Sequence, residues 1–209
     1  MVKIKICGLK RHEDIQYVNE LLPDYIGFVF AKSKRQVDLA KAKILGSQLD
    51  KGIKKVGVFV NEDVKQVKKI AKEAYLDVLQ FHGDEDESYL AQFNDFTIWK
   101  CKSIDISLKN IDEHVMDEIN IYPIEGIVLD SSRKGASGGL GQSFNWNLLQ
   151  RLNIEKKLIL AGGLSSENVC EAIEIANPYA VDISSGVETD GVKDFNKIKK
   201  FIEKVREQK

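Results

Sequence analysis

The first strand and its turn read Lys3-Ile4-Lys5-Ile6-Cys7-Gly8-Leu9-Lys10. A short apolar run ends on a cysteine, and a glycine turns the chain immediately afterwards. The turn lacks the G-x-G-x-x-G pattern with which an open, doubly wound sheet binds a dinucleotide. In a parallel barrel, by contrast, the side chain at a strand end faces the catalytic end. The stretch favours a barrel and makes Cys7 a candidate catalytic residue.

Seven further apolar segments resemble the first in length and composition. They are rich in Val, Ile, Leu and Phe, and most are continuous, which is typical of strands covered on both faces. The eight segments are residues 3–7, 25–30, 55–60, 78–81, 97–102, 126–130, 157–161 and 180–184. Amphipathic stretches at residues 38–49, 63–75, 168–176 and 195–205 predict intervening helices. Eight strand–helix units predict an α/β fold, a single closed (β/α)8 TIM barrel with parallel strands.

The composition is that of a globular chain with one domain. At 209 residues the chain is short for two domains, and no linker interrupts it, so we predict one catalytic domain over residues 1–209. Hydrophobic residues make up 43% and charged residues 30%, as in folded soluble proteins. The net charge of −1 favours neither nucleic acid nor an anionic membrane as a partner. Any bound anion therefore needs a local site.

The three cysteines, Cys7, Cys101 and Cys170, are widely spaced. Their spacing matches neither a disulfide framework nor a zinc site, and no His, Asp or Glu cluster has ligand spacing, so we predict no metal. The amino terminus has no long apolar signal segment, and nothing resembles a membrane span. These features predict a cytoplasmic protein. Cys101 lies in a predicted strand and Cys170 in a predicted helix, and both are predicted to be core residues.

Two loops rich in glycine and serine follow the last two strands. They read Leu160-Ala161-Gly162-Gly163-Leu164-Ser165-Ser166 and Asp182-Ile183-Ser184-Ser185-Gly186-Val187-Glu188. Glycines let backbone N–H groups approach an anion, and a following helix N-terminus adds its dipole. The loops after strands seven and eight are the usual phosphate site of a barrel. They predict phosphate binding, with tight-turn glycines and a serine helix cap as the alternative.

A carboxylate ends the sixth strand, in Gly126-Ile127-Val128-Leu129-Asp130. A thiol and a carboxylate brought to one pocket by two strands make a candidate base and acid. Cys7 must ionise, against an ordinary thiol pKa of about 8.5, to act as a base. Asp130 must hold a proton to act as an acid. The alternatives are a buried structural cysteine and a carboxylate paired for structural reasons.

Three other loops contribute further candidates. Arg35, in the basic loop after strand two, is suited to clamp a substrate carboxylate bidentately, although a solvated basic run is the alternative. His82 closes strand four and is either a substrate contact or a structural histidine. The polar, glycine-rich residues 131–141 predict a mobile lid over the active site.

In this order, the segments resemble the phosphoribosylanthranilate isomerases of tryptophan biosynthesis. The matching pieces are Lys5-Ile6-Cys7-Gly8-Leu9, Gly27-Phe28-Val29-Phe30, Ser33-Lys34-Arg35, Val56-Gly57-Val58-Phe59-Val60-Asn61, Leu79-Gln80-Phe81-His82-Gly83, Leu129-Asp130-Ser131, Gly138-Gly139-Leu140-Gly141, Phe144-Asn145-Trp146, Leu160-Ala161-Gly162-Gly163-Leu164, Asp182-Ile183-Ser184-Ser185-Gly186-Val187-Glu188 and Gly191-Val192-Lys193-Asp194. Single pieces are common, but the ordered set over nearly the whole chain is highly specific.

The resemblance implies an Amadori rearrangement of N-(5-phosphoribosyl)anthranilate to 1-(2-carboxyphenylamino)-1-deoxy-D-ribulose 5-phosphate. It implies that Asp130 is the acid that opens the ribose ring and that Cys7 is the base that removes the C2 proton. Arg35 would hold the anthranilate carboxylate, and Asp182 would lie near the sugar hydroxyls. The residues implied for the phosphate site are Gly162, Gly163, Ser184 and Gly186. Neither a metal nor an organic cofactor is implied.

The chain departs from the family pattern in the lid. Leu140, Gln142 and Asn145 stand where the family has a hydroxyl residue, a lysine and an aspartate. The lid thereby loses a cation and a hydroxyl, so a substrate contact through these positions is not implied. His12 also replaces a small polar residue after the first turn.

Two other interpretations stay open at this point. Another phosphate-binding barrel isomerase is one: the histidine-pathway enzyme uses an Asp where this chain has Cys7, and indoleglycerol phosphate synthase uses strand lysines, whereas we expect Lys5 to point away from Cys7. A non-catalytic barrel that binds a phosphorylated ligand is the other, and the presence of both Cys7 and Asp130 argues against it. The expected partner is a phosphorylated small molecule, and the expected assembly is a monomer or a homodimer.

Overall fold

The structure is a computed structural model that describes residues 1–105, 107, 113–132 and 143–208. Most of the lid expected at residues 131–141, including Leu140, lies outside the described residues, as does Gln142. Ser131 and Ser132 belong to the sixth strand rather than to a loop, because they pair with Ile104 and Asp105 of the neighbouring strand.

Eight parallel strands form a closed barrel in chain order, which confirms the predicted fold. They are β1 (Lys3–Cys7), β2 (Tyr25–Val29), β3 (Lys54–Phe59), β4 (Val78–Phe81), β5 (Thr97–Asp105), β6 (Gly126–Ser132), β7 (Lys157–Leu160) and β8 (Ala180–Ile183). The predicted bounds are correct to within one residue, except that β5 and β6 extend further. These two strands pair from Trp99↔Gly126 to Asp105↔Ser132, so each lengthens the other.

Helices cover the outside of the barrel, and a small hairpin follows β8. The helices are α1 (His12–Leu21), α2 (Leu39–Ser47), α3 (Val64–Glu73), α4 (Glu87–Leu90), α5 (Asp117–Asn120), α6 (Val169–Ala176) and α7 (Phe195–Glu207), and the hairpin pairs β9 (Glu188–Thr189) with β10 (Val192–Lys193). The four helices predicted from periodicity are all present. In the described residues, the connection from β6 to β7 contains a 3-10 helix, Trp146–Arg151, which Asn145 caps by accepting from the Asn147 N–H.

Two apolar cores result from the alternation of side chains along each strand. The larger core lies between the strands and the helices and includes Ile6, Phe28 and Phe201. The smaller core fills the barrel interior and is formed by Tyr25, Val56, Val78, Trp99, Cys101, Val128, Ile159, Ala161 and Ala180. Because side chains two positions apart share a face, residues two further along these strands point into the mouth of the barrel.

Candidate active site

The carboxyl ends of the strands bring most of the predicted polar residues to one mouth. Asp130 lies two positions after Val128, and Asp182 lies two positions after Ala180, both members of the interior core. The same alternation places His82, which directly follows β4, four positions after Val78 and on the same face. The apolar floor and the polar rim of the pocket are therefore successive layers of the same strands.

A buried ion pair between Lys5 and Asp182 joins the first strand to the last. Lys5 Nζ lies 2.6 Å from Asp182 Oδ2, and the lysine side chain is completely buried. The expectation that Lys5 points away from Cys7 was wrong, since residues two apart on a strand share a face. Burial opposes the charge on Lys5, but Asp182 and Cys7 outweigh it and raise the pKa of the ammonium.

Cys7 sits at the rim, half-buried above this ion pair. Its thiol occupies space that a side chain on Gly27 of β2 would take. Burial raises the pKa of the thiol, while the cations of Lys5 and Lys193 oppose that rise. The resting group is therefore a thiol whose anion has two cations beside it.

Asp130 is a carboxyl group suited to hold a proton. Burial and then the Asp182 carboxylate raise its pKa to about 6, against the opposing effects of the Ser131 N–H and Lys5. Its side chain remains 19% exposed toward the pocket mouth. A carboxyl with this pKa titrates close to neutral pH, which suits a general acid.

His82 lies directly beside Asp130. Its Nε2 atom is 3.6 Å from Asp130 Oδ2 and 3.3 Å from Cys101 Sγ. Burial and the charge of Lys5 lower the pKa of the imidazole, so the ring is neutral near pH 7. Cys101 is buried, as expected, but it belongs to the barrel interior and borders the active site, whereas Cys170 lies on α6 at the periphery.

Arg35 reaches the mouth from the loop after β2, where Glu188 holds it. Its Nε and Nη2 atoms donate to the two carboxylate oxygens of Glu188 at 2.6 and 2.8 Å. Lys193 donates to the same carboxylate at 2.8 Å. Burial opposes ionisation of Glu188, but the two cations lower its pKa to about 2. The Nη1 edge of the guanidinium makes neither of the two bonds to Glu188.

The loops after β7 and β8 meet at the predicted phosphate site. Gly162 and Gly163 have φ angles of 81° and 64°, and a side chain on Gly162 would collide with the backbone of Ser131. A side chain on Gly186 would meet the carbonyl of Leu164, so this glycine lets the two loops approach. Among the described residues, the N–H groups of Gly162 and Gly163 have no acceptor and are free to bind an anion.

Ser184 connects the end of β8 to the end of β1. Its hydroxyl donates to the Cys7 carbonyl at 3.0 Å, and Lys193 donates to the Ser184 carbonyl at 2.8 Å. Lys193 is 4% exposed and lies close enough to Cys7 to act on its charge. Lys5 is the other buried lysine of the site, and a buried lysine is costly without a partner. The apolar residues on both sides of Lys5 in the sequence could therefore have predicted that it pairs with a carboxylate.

Lys100 does not belong to this mouth. It points out of the barrel, where its Nζ atom donates to Glu85 Oε2 at 2.8 Å. A cavity of about 460 Å³ at the opposite end, near the start of β7, is lined by Leu149, Leu158 and Tyr179 among others. That cavity contains none of the candidate residues.

No helix in the described ranges is both long enough and apolar enough to cross a lipid bilayer.

Known proteins resemble this chain over nearly its whole length. The family model described as N-(5'phosphoribosyl)anthranilate (PRA) isomerase matches residues 4–204. The N-(5'-phosphoribosyl)anthranilate isomerase of Thermoanaerobacter sp. (strain X514) is 55% identical over 206 residues, which cover 99% of this chain and 98% of that protein.

Solved structures also resemble this chain. The phosphoribosyl anthranilate isomerase of Thermotoga maritima is 34% identical, with a TM-score of 0.85 over 99% of this chain and 100% of that one. A phosphoribosyl anthranilate isomerase in complex with reduced 1-(o-carboxyphenylamino)-1-deoxyribulose 5-phosphate is 32% identical, with a TM-score of 0.81 and the same coverage. A full-length family match on a barrel with this mouth shows that the chain belongs to the N-(5'-phosphoribosyl)anthranilate isomerases.

Proposed function

We propose that the barrel mouth carries out the isomerisation with Asp130 as general acid and Cys7 as general base. The observation that carries the proposal is the pairing, across one mouth, of a buried carboxyl with a pKa of about 6 and a thiol that has the ammonium groups of Lys5 and Lys193 beside it. They stand on β6 and β1, three strands apart around the barrel. A sugar between them would meet one group on each side.

The first step is ring opening. Asp130 donates its proton to the ribose ring oxygen, the bond from C1 to that oxygen breaks, and the nitrogen lone pair forms an iminium. The raised pKa of Asp130 keeps a useful fraction of the acid form near neutral pH. The free N–H groups of Gly162 and Gly163, beside Asp130, suit the sugar phosphate.

The second step is proton removal from C2. The Cys7 thiolate takes this proton, and the electron pair moves to the iminium and gives an enolamine. The enolamine then tautomerises to the ketone product. Lys5 stabilises the thiolate because its buried ammonium lies near the thiol and favours the negative charge there. Asp182 holds Lys5 in place, so the aspartate acts through the lysine as a positioning residue.

Substrate binding uses the remaining charges of the mouth. Arg35 presents its free edge to the anthranilate carboxylate while Glu188 fixes the opposite edge. A solved relative of this family binds a reduced carboxyphenylamino-deoxyribulose phosphate, which supports a phosphorylated small molecule as the ligand.

A cytoplasmic location stays a proposal, supported by three free cysteines. The single domain and the monomer or homodimer stay predictions.

The direct test of the proposed function is an assay of freshly prepared phosphoribosylanthranilate, whose fluorescence disappears on turnover. Loss of signal well above spontaneous breakdown, with the ribulose product identified by mass spectrometry, would support the proposal. A folded protein that binds the reduced product analogue without turnover would instead be a non-catalytic barrel.

Replacing Arg35 with alanine is expected to raise KM by about 10- to 100-fold with little change in kcat. A hydrogen-bonded charge contributes about 1.5–3 kcal/mol, and this contact is present equally in the ground and transition states. Steady-state kinetics with phosphoribosylaniline, which lacks the carboxylate, provide the control. If Arg35→Ala raises KM equally for both substrates, the proposed clamp is wrong.

Removing Lys5 is expected to move Cys7 ionisation to higher pH. Lys5→Met alone leaves Asp182 buried and unpaired, which costs about 3–5 kcal/mol, so the variant to use is Lys5→Met with Asp182→Asn. Lys5 lowers the pKa of the thiol more than Asp182 raises it, so loss of both charges lowers the thiolate fraction, by about tenfold at a given pH. Iodoacetamide labelling of Cys7 across pH, followed by mass spectrometry, measures this directly. Unchanged labelling would mean that Lys5 does not stabilise the thiolate.

A further inference from the structure

Three side chains of metal-binding types meet in the barrel mouth, one from the end of β4, one from β5 and one from β6. Cys101 stands on β5, Asp130 stands on β6, and His82 immediately follows β4. One ligand atom from each lies within 4.8 Å of the other two. The prediction of no metal site relied on spacing along the chain, which does not test residues brought together from three strands.

Two of the three distances between the ligand atoms suit a tetrahedral ion. Zinc binds sulfur at about 2.3 Å, nitrogen at about 2.0–2.1 Å and oxygen at about 2.0–2.2 Å, so neighbouring ligand atoms lie roughly 3.3–3.6 Å apart. His82 Nε2 is 3.3 Å from Cys101 Sγ and 3.6 Å from Asp130 Oδ2. The side chains of His82 and Asp130 are 29% and 19% exposed, which leaves an approach from solvent and a fourth position for water.

The surrounding charges also favour a divalent cation. Two lysines act on this cluster, and each is held by its own carboxylate, Lys5 by Asp182 and Lys100 by Glu85. Among the described residues, the group nearest to pairing with the Asp130 carboxylate is His82, whose ring is neutral near pH 7. Once metal binding displaces the proton of the Cys101 thiol, the thiolate and the Asp130 carboxylate together carry two negative charges, which balance those of the ion.

We propose that His82, Cys101 and Asp130 form a site for Zn²⁺ and similar thiophilic divalent cations, and that occupancy inhibits the enzyme. The metal binds the carboxylate oxygen, so Asp130 no longer carries the proton that opens the ring. The Cys101 proton leaves to solvent as the sulfur–metal bond forms, and no electron transfer takes place. The inhibitory part rests on the proposed role of Asp130, whereas binding of the metal does not.

Binding is tested with the full chain after chelator treatment and dialysis. Co²⁺ added to the protein is expected to give a sulfur-to-cobalt charge-transfer band in the near ultraviolet, and Zn²⁺ is expected to displace it. Cys101→Ala should weaken Zn²⁺ binding by at least about tenfold, as measured by calorimetry. Cys170→Ala is the matched control, since its thiol lies on α6 and leaves the cluster intact. Cys101→Ser serves if the alanine variant fails to fold by circular dichroism.

Cys7→Ala separates this site from the other thiol of the mouth. If the cobalt band disappears in Cys7→Ala and persists in Cys101→Ala, or persists in both, the proposed ligand set is wrong. Retained binding in Cys7→Ala and lost binding in Cys101→Ala support it.

Inhibition is tested on wild type and Cys101→Ala, each assayed with Zn²⁺ and then with chelator. We expect Zn²⁺ to inhibit wild type, chelator to restore its full activity, and Cys101→Ala to need at least about tenfold more Zn²⁺ for the same inhibition. Equal sensitivity of the two proteins would overturn the proposal, and so would loss of wild-type activity with chelator alone. If wild type lacks turnover yet binds the metal through Cys101, the proposed function fails while the binding site stands.

Discussion

Replacing Cys7 with alanine is expected to lower kcat by about 10²- to 10⁴-fold, the usual contribution of a positioned acid or base. The reason is that the Cys7 thiol supplies the ionisable atom of the proposed base, and the ammonium groups of Lys5 and Lys193 stabilise its anion. Removing the thiol adds no bulk, and the thiol packs over Gly27, so the barrel should fold normally. Single-turnover assays and circular dichroism measure the two expectations separately.

Cys101→Ala is the matched control for Cys7→Ala, because it removes a thiol from the same mouth that has no proposed role in turnover. In metal-free buffer we expect this control to keep activity close to wild type. Near-normal kcat in Cys7→Ala would remove Cys7 from the mechanism. A primary isotope effect with substrate deuterated at C2 would show that the lost step is proton removal.

Replacing Asp130 with asparagine is expected to lower kcat over a similar range and, at the same time, to stabilise the fold. The amide cannot donate an acid proton to the ring oxygen, so ring opening slows. The stabilisation arises because the pKa of Asp130 rises from 3.8 to about 6 on folding, so folding disfavours the carboxylate. At pH 8 this costs about 3 kcal/mol, because one pKa unit corresponds to about 1.4 kcal/mol.

The pH dependence of that stabilisation follows from the same shift. Below about pH 3 the carboxyl is largely protonated in both folded and unfolded chains, so the cost shrinks as the pH falls below about 6 and disappears below about pH 3. Urea unfolding at pH 4 and pH 8 is therefore expected to show that Asp130→Asn is clearly more stable than wild type at pH 8 and only slightly more stable at pH 4. A variant that is less stable at pH 8 would contradict the assigned burial of charge.

The strands and the positions of Asp130 and Cys7, the proposed acid and base, could be predicted because both depend on local order. An apolar run that ends in a polar residue places that residue at the barrel mouth, whatever the rest of the chain does. This held for Asp130 and for Asp182. The longer β5 could not be predicted, because its last residues are polar and become strand only by pairing with Ser131 and its neighbours.

The partners within the mouth depend on contacts between distant strands, which spacing along the chain does not reveal. Arg35 lies at the mouth, but Glu188, with which it makes a bidentate contact, is 153 positions away along the chain. Cys101 was correctly assigned to the core, yet its neighbours come from elsewhere in the barrel, His82 from the end of β4 and Asp130 from β6. Lys5 could have been identified, because its separation of two residues from Cys7 already places both on one face.

The ion pair between Lys5 and Asp182 spans 177 positions of the chain and joins the first strand to the last. A nascent chain therefore carries Cys7, the proposed base, from the beginning of synthesis but lacks the carboxylate that holds Lys5 until the last strand is made. Contacts of such high sequence separation form late and slowly, because a long loop must close before they are made. With Cys7 as the proposed base, we expect activity only from a chain whose barrel has closed, and none from partly folded chains, whose unpaired strands are prone to aggregate.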